Sequence, residues 1–192
     1  MKLRRGRKIL KLPQRRRTAL PTPTEQHKQE APARVSCLVV TVSDTRKEET
    51  DKSGQLIRRL LEEQGHEVAG HRIVPDEYGI IAELLRAAAD DPAVEAVLLN
   101  GGTGIAARDV TVEAVRSVLD KELPGFGEIF RFLSFAEDIG SAAILSRAVA
   151  GTMGRTAVFA MPGSTGAVKL AMTRLILPEL GHVMREIYKD AK

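Results

Sequence analysis

The chain has 192 residues, 43% hydrophobic and 28% charged, which is room for one real core. No apolar run approaches the roughly 20 residues that span a bilayer, and a single cysteine, Cys37, excludes an internal disulfide framework, so a reducing cytoplasm is expected. The net charge of +4 is uneven: residues 1–34 hold eleven Lys/Arg against two Glu, a net of +9, and residues 35–192 carry −5.

Residues 1–34 have isolated apolar pairs in place of a secretory core, and Pro13, Pro21, Pro23 and Pro32 break any periodicity. They read as a basic, disordered extension. A transit peptide or an arm for nucleic acid or anionic lipid is the alternative. Residues 35–42 (VSCLVVTV) form an almost unbroken apolar run, as expected of a strand buried on both faces, ending in Ser43-Asp44-Thr45. A polar loop through Asp51, Lys52, Ser53 and Gly54 leads to a helix over 55–64, with Leu56, Ile57, Leu60 and Leu61 on one face and Gly65 closing it. A second strand over 67–74 stops at Pro75-Asp76-Glu77, and Ile80, Ile81, Leu84, Leu85 and Ala88 mark a second helix.

The run 94–99 predicts a strand leading into Asn100-Gly101-Gly102-Thr103-Gly104 and then Arg108-Asp109-Val110-Thr111. Residues 111–119 read as a third helix capped by the Asp109/Thr111 region, broken by residues 122–127. Residues 128–135 are apolar at Ile129, Phe130, Phe132 and Leu133, and 139–149 form a small-residue apolar stretch. A strand over 156–160 runs into Pro162-Gly163-Ser164-Thr165-Gly166, and a helix over 168–188 closes the chain, interrupted near Pro178.

Alternating strands and helices imply βαβ units: a three-layer α/β fold with a mainly parallel sheet and helices on both faces. Ligands of such sheets gather beyond the carboxyl ends of the strands. Ser43-Asp44, Asp76 and the glycine turn with Asp109 would then share one rim, provided the strand before Asp76 is parallel to the others. A glycine turn between strand and helix can bring bare N–H groups against phosphate; it is also a common plain turn. Gly163 and Gly166 admit the same two readings. Asp76 and Asp109, at two strand ends, are candidates to hold Mg²⁺ on a phosphorylated substrate, and each alone could equally shape a turn or cap. Ser146-Arg147 could set a hydroxyl and a guanidinium near an anion. The histidines show no zinc spacing, and neither a Gly-x-Ser-x-Gly elbow nor a Gly-Lys-Ser/Thr loop is present, which disfavours serine hydrolases and P-loop enzymes.

Taken together, these segments resemble the MoaB/MogA family of molybdenum cofactor biosynthesis proteins, which is related to the G domain of gephyrin. The resemblance rests on Val42-Ser43-Asp44, Asp51-Lys52-Ser53-Gly54, Ile73-Val74-Pro75-Asp76-Glu77, the Gly101–Gly104 turn with Arg108-Asp109-Val110-Thr111, Leu145-Ser146-Arg147 and Met161-Pro162-Gly163-Ser164. The motifs recur in the family's order over residues 35–188, and the segments 122–135 and 134–140 look closer to the MoaB branch.

The resemblance implies adenylylation of molybdopterin by ATP with Mg²⁺, giving molybdopterin-AMP and pyrophosphate. Asp76 and Asp109 would be the functional, metal-holding carboxylates. Ser43, Asp44, Asp51, Ser53, Gly101, Gly102, Thr103, Gly104, Ser146, Arg147, Pro162, Gly163 and Ser164 would line the substrates. A homotrimer or homohexamer is implied, with a downstream metal-insertion protein as a further partner; residues 126–149, more apolar than a surface loop needs, are expected to supply part of the interface. The chain departs from the family at Asn100, where Thr is usual before Gly-Gly-Thr-Gly. Two other readings stay open: a non-catalytic molybdopterin-binding or carrier protein of the same fold, and nucleic-acid binding through residues 1–34. The acidic body and the aromatic content of only 4% count against the last, since they offer no stacking platform.

Overall fold

The buried inner strands form where the sequence runs apolar, and the sheet they build places three of the four parallel segments almost as read. A computed structural model describes residues 22–189. Its strands are β1 (Ser36–Val42), β2 (Glu67–Val74), β3 (Ala96–Asn100), β4 (Lys121–Glu122), β5 (Val149–Met153) and β6 (Thr156–Met161), in one sheet of order β2-β1-β3-β6-β5-β4. The first four strands in that order are mutually parallel, while β5 and β4 add an antiparallel edge. The parallel part and its layers are as expected. The antiparallel edge comes from a segment given no strand in the sequence reading: the small-residue apolar stretch 139–149 contains a short 3₁₀ segment (Gly140–Leu145) and then delivers β5.

Helices cover both faces. The α-helices of the described residues are α1 (Pro23–Gln29), α2 (Lys52–Glu63), α3 (Tyr78–Asp90), α4 (Thr111–Arg116), α5 (Pro124–Glu137), α6 (Thr165–Ala171) and α7 (Leu177–Tyr188). On one face Ile57 and Leu61 of α2, Phe130 of α5 and Leu180 and Met184 of α7 pack on alternate residues of β1, β3 and β6. On the other, Ile81 and Leu85 of α3 and Val112 and Val115 of α4 pack on Val40, Val97, Leu99 and Val158. Both faces of β3 are thus dry, which is why its whole length is apolar up to Asn100. Cys37 lies inside this core, and burial, then the Glu95 charge, pushes its thiol up to about 12, so it stays protonated.

Several boundaries differ from the sequence reading for local reasons. Helix α2 begins at Lys52 because the Asp51 carboxylate accepts from the Gly54 N–H at 3.0 Å, recruiting the presumed loop as a first turn. Helix α4 stops at Arg116. The break expected over 122–127 is instead the start of α5, with Pro124 where its missing N–H does no harm. Near Pro178 the helix does not stop: a π turn over Met172–Ile176 widens the coil just before it and leads directly into α7.

The basic residues 2–17 and most of the extension expected to be disordered lie outside the described residues. Its last part is helical: α1 docks on α7, where Lys28 donates to Glu179 and Arg185 Nε donates to Glu30 at 3.1 Å. Gly181 permits this approach, because a Cβ there would stand 2.6 Å from the Pro32 carbonyl. Exposed apolar side chains concentrate on and after α5: Ile129, Phe132, Phe135, Ile139, Ile144 and Leu145. Among the described residues no helix is long and apolar enough to cross a membrane.

Candidate functional site

Sheet register sets the site. Thr41, Asn100 and Met161 are paired neighbours across β1, β3 and β6, and Val42 pairs with Val74, so the loops after β1, β2, β3 and β6 leave the sheet side by side. The condition on the Asp76 strand is met, and Ser43-Asp44, Asp76 and the glycine turn with Asp109 do share a rim. The glycine turn bends back tightly: Gly101 has φ of 103° and Gly102 of 61°, both in the left-handed region. The two glycine turns touch, since the Gly101 N–H donates to the Met161 carbonyl at 3.1 Å and a Cβ on Gly163 would lie 3.1 Å from the Gly101 Cα.

The upper layer is carboxylate-rich. Asp44 receives two hydrogen bonds from Arg108, at 2.9 Å from Nε and 2.8 Å from an Nη, and one from the Asp76 N–H at 3.2 Å. The Arg108 hydrogen bonds, then that backbone bond, hold the Asp44 carboxyl below the usual carboxylate range. Asp76 is buried and behaves oppositely: burial pushes its carboxyl up and the Asp109 and Asp44 charges add to this, while a 3.2 Å bond from the Val110 N–H and the Arg108 charge oppose it without cancelling it. A carboxylate raised by burial and two like charges is what a cation would relieve.

A second observation agrees. The Thr111 hydroxyl is buried without a hydrogen-bond partner, and a Cβ on Gly102 would fall 2.3 Å from it and 2.5 Å from an Asp76 oxygen. The orphaned hydroxyl and Asp76 therefore face the same small space, open only because residue 102 is glycine. Hard oxygen donors around such a gap fit Mg²⁺. Asp109 sits beside Gly104, whose absent Cβ would fall 2.6 Å from its carboxylate, and accepts from the Ala106 N–H at 3.0 Å. The expected capping of α4 by Asp109 is corrected: Val110 is the N-cap, with no side-chain cap, because the Asp109 carboxylate is turned back into its own loop.

Beneath lies a buried layer. Asn100 is fully buried; its amide donates to the Thr41 hydroxyl at 2.9 Å and the Val40 carbonyl at 3.3 Å, and its oxygen accepts from Ser53 at 2.7 Å. The Thr41 hydroxyl in turn donates to Asp51 at 2.5 Å, and His71 Nε2 lies 3.0 Å from the same carboxylate. Burial would raise the Asp51 carboxyl, but hydrogen bonds from Thr41, Gly54 and Ser53 outweigh it and hold it low. Asp51 and Ser53, named from sequence as substrate contacts, are thus enclosed under the rim, where they fix Asn100. Arg46 joins this layer to the second glycine turn: it donates to Ser53 and to the Gly163 carbonyl at 2.9 Å, and lies 3.4 Å from the Asn100 oxygen.

The other candidates divide similarly. Ser43 accepts from the Arg46 N–H at 3.2 Å and so shapes the first loop. Arg147 donates to the carbonyls of Thr103 at 3.0 Å and Asp109 at 3.2 Å and to Glu113, bracing the glycine turn from outside. Ser146 follows the 3₁₀ segment and bonds to Ala143 through its N–H. Ser164 caps α6 by accepting from the Ala167 N–H at 3.2 Å, and Pro162 and Gly163 border the Gly101 backbone. Arg46 and His71 were missed. No local pattern marks either, because their partners lie across the fold.

A family profile described as a probable molybdopterin binding domain matches residues 38–182, which spans every loop of this rim. The chain belongs to the MoaB/MogA family of molybdenum cofactor biosynthesis proteins. Molybdenum cofactor biosynthesis protein B of Halalkalibacterium halodurans is 66% identical over 166 residues, 86% of this chain and 98% of that protein, and its counterpart in Bacillus subtilis is 62% identical over the same shares. A crystal structure of a molybdenum cofactor biosynthesis protein B is 57% identical, with a TM-score of 0.81 over 83% of this chain and 99% of that one. The tungsten cofactor synthesizing protein MoaB of Pyrococcus furiosus is 38% identical, with a TM-score of 0.73 over 82% and 99%. The α/β fold expected from the MoaB/MogA resemblance is therefore the fold of the family, and the chain's role lies in molybdenum cofactor biosynthesis.

Proposed function

We propose that the protein adenylylates molybdopterin, transferring AMP from ATP to its terminal phosphate and releasing pyrophosphate. The observation that carries this reading is the space between Asp76 and the unpartnered Thr111 hydroxyl, opened by Gly102 at the end of the central strand. Asp76 and Asp109 would hold Mg²⁺ there. When bound, that ion would neutralise phosphate charge as the phosphorus–oxygen bond to pyrophosphate breaks.

The chain's own groups supply position and polarity. The backbone N–H groups of Gly102 to Gly104 would receive phosphate oxygens, while the Gly101 N–H is already held by the Met161 carbonyl. The Pro162-Gly163-Ser164 turn, in contact with Gly101, borders the nucleotide. Arg46 and Arg147 set the spacing of these turns through carbonyls of Gly163, Thr103 and Asp109. The nucleophile is the terminal phosphate of molybdopterin, already ionised at neutral pH, so catalysis is alignment in line with the leaving pyrophosphate. The exposed apolar side chains of 129–145 suit association of copies into a trimer or hexamer.

Incubation with ATP, Mg²⁺ and molybdopterin should yield molybdopterin-AMP. Asp109→Ala should lose most of that turnover, at least about 100-fold if Asp109 holds the ion on the triphosphate, with an unchanged circular dichroism spectrum. Full activity in Asp109→Ala would overturn its role. Tight molybdopterin binding by the unaltered protein without adenylylated product would instead make it a carrier.

A further inference from the structure

Away from the rim, α1 and α7 bring together a set of side chains that the proposed reaction does not use. His27 of α1 and His182 and Glu186 of α7 each offer a ligating atom, and these three atoms all lie within 4.8 Å of one another. His182 and Glu186 are one helical turn apart on α7, the spacing that puts two ligands on one face. His27 closes the set from the neighbouring helix: its Nδ1 is 3.5 Å from a Glu186 oxygen and its ring centroid 5.8 Å from that of His182.

We infer that His27, His182 and Glu186 form a binding site for a divalent transition metal of the zinc class, which clamps the N-terminal helix onto the body.

Two imidazoles and one carboxylate make a borderline donor set that favours Zn²⁺ over Mg²⁺ or Ca²⁺, with a fourth position left for water. Tetrahedral zinc with ligands at about 2.0–2.1 Å would set them about 3.3 Å apart. The set therefore has to close by less than 2 Å, within the reach of side chains that are 39%, 22% and 36% exposed. An orienting carboxylate is already in place: Glu179 Oε2 lies 3.0 Å from His182 Nδ1. A neutral ring that donates there keeps its lone pair on Nε2 for a metal, the carboxylate–histidine–metal arrangement.

The surrounding charges balance. Lys28 pairs with Glu179, Arg185 with Glu30 and Glu186, and Lys189 with Glu186. A bound cation would displace Arg185 and Lys189 from Glu186, and Arg185 would keep its bond to Glu30. A neighbouring cavity of about 360 Å³, lined by His182, Glu186, Lys121 and Thr152, gives an ion and its water a way in. His27 precedes the segment matched by the family profile and His182 is its final matched residue, so the site would couple this chain's own extension to the family body.

The test is a Zn²⁺ titration of the full chain, stripped of metal, against a chromophoric competitor. One Zn²⁺ per chain is expected. His27→Ala, on the peripheral helix, should keep the far-ultraviolet spectrum and lose more than about 100-fold in affinity, while Glu179→Gln should lose roughly 10–100-fold as an outer-shell partner. Co²⁺ should give the intense visible bands of a four-coordinate site in the wild type and not in His27→Ala. Absence of Zn²⁺ binding, or affinity within threefold of wild type in His27→Ala, would overturn the inference; neither result bears on adenylylation, which is read at the opposite end of the sheet.

Discussion

Replacing Asn100 with alanine tests whether the buried layer holds the rim together. The substitution removes an acceptor 2.7 Å from Ser53 and a donor 2.9 Å from Thr41, with longer contacts to Val40 at 3.3 Å and Arg46 at 3.4 Å. A buried group that loses its partner costs about 1–3 kcal/mol. Two features hold the loss near the lower end. The Thr41 hydroxyl keeps its 2.5 Å bond to Asp51, and the Ser53 hydroxyl keeps the Asp51 oxygen 3.0 Å away as an acceptor. The long contacts add little, so two short bonds at about 1–1.5 kcal/mol each give about 2–3 kcal/mol. In a domain of this size that is a fall in Tm of roughly 4–12 °C. Thermal unfolding at fixed protein concentration, since association shifts Tm, and urea unfolding with an unchanged slope would measure it. Asn100→Thr, restoring the residue usual in the family, should fall between the two. A change under about 0.5 kcal/mol, the range of ordinary surface substitutions, would refute the central role given to Asn100.

Gly54→Ala should be at least as damaging, because its Cβ would lie 2.1 Å from an Asp51 oxygen, 2.6 Å from His71 Nε2 and 2.8 Å from the Thr41 hydroxyl. A loss of about 2–3 kcal/mol in urea unfolding is expected from such overpacking, with the near-ultraviolet spectrum as a second readout. Asp76 predicts the opposite sign. Its folded carboxyl is raised, so the stability it contributes is present at acid pH and is lost as pH rises through its folded value. Asp76→Asn, which retains an acceptor for the Val110 N–H, should therefore raise Tm at neutral pH and change it little at acid pH, while abolishing adenylylation. Mg²⁺ should raise the Tm of the wild type at neutral pH and not that of Asp76→Asn. A lower Tm for Asp76→Asn at neutral pH would remove the electrostatic argument for a cation there.

What the sequence revealed followed from burial. β1 and β6 were read to within a residue, because strands covered on both faces show as unbroken apolar runs; β2, a half-exposed edge strand, was read at its observed bounds, Glu67–Val74, which lie between Gly65 and Pro75. β5 was hidden because Val149–Met153 is short and rich in small residues. Gly151 is required there: a Cβ would come 2.3 Å from the Lys121 carbonyl, so the residue that lets β4 approach is the one that disguises the strand. Helix α1 was hidden for another reason, since its docking rests on Lys28, Glu30 and Gly181, whose partners are more than 100 residues away in sequence. The rim was legible as loops at strand ends, but the two-layer arrangement was not. Asp51 and Ser53 have the composition of a ligand-binding turn, and only their 0% and 1% exposure moves them below the surface.

That layering explains how one short loop system can be both rigid and electrostatically unsettled. In the lower layer each polar group has a partner: Asp51 is held low by three hydrogen bonds, and Asn100 uses both ends of its amide. In the upper layer Asp76 is raised, Thr111 is unpartnered, and the carboxylates repel one another. A rim built only from the upper residues would relax, with Asp76 turning out to water and the gap closing. Arg46 prevents this by tying Gly163 to Ser53 while the Met161 carbonyl receives the Gly101 N–H, so the two glycine turns cannot spread independently. Favourable interactions below thus hold an unfavourable arrangement above, and binding of a cation and phosphates releases strain already present. Changes in the lower layer should accordingly alter stability and ligand affinity together, whereas changes in the upper layer should separate them.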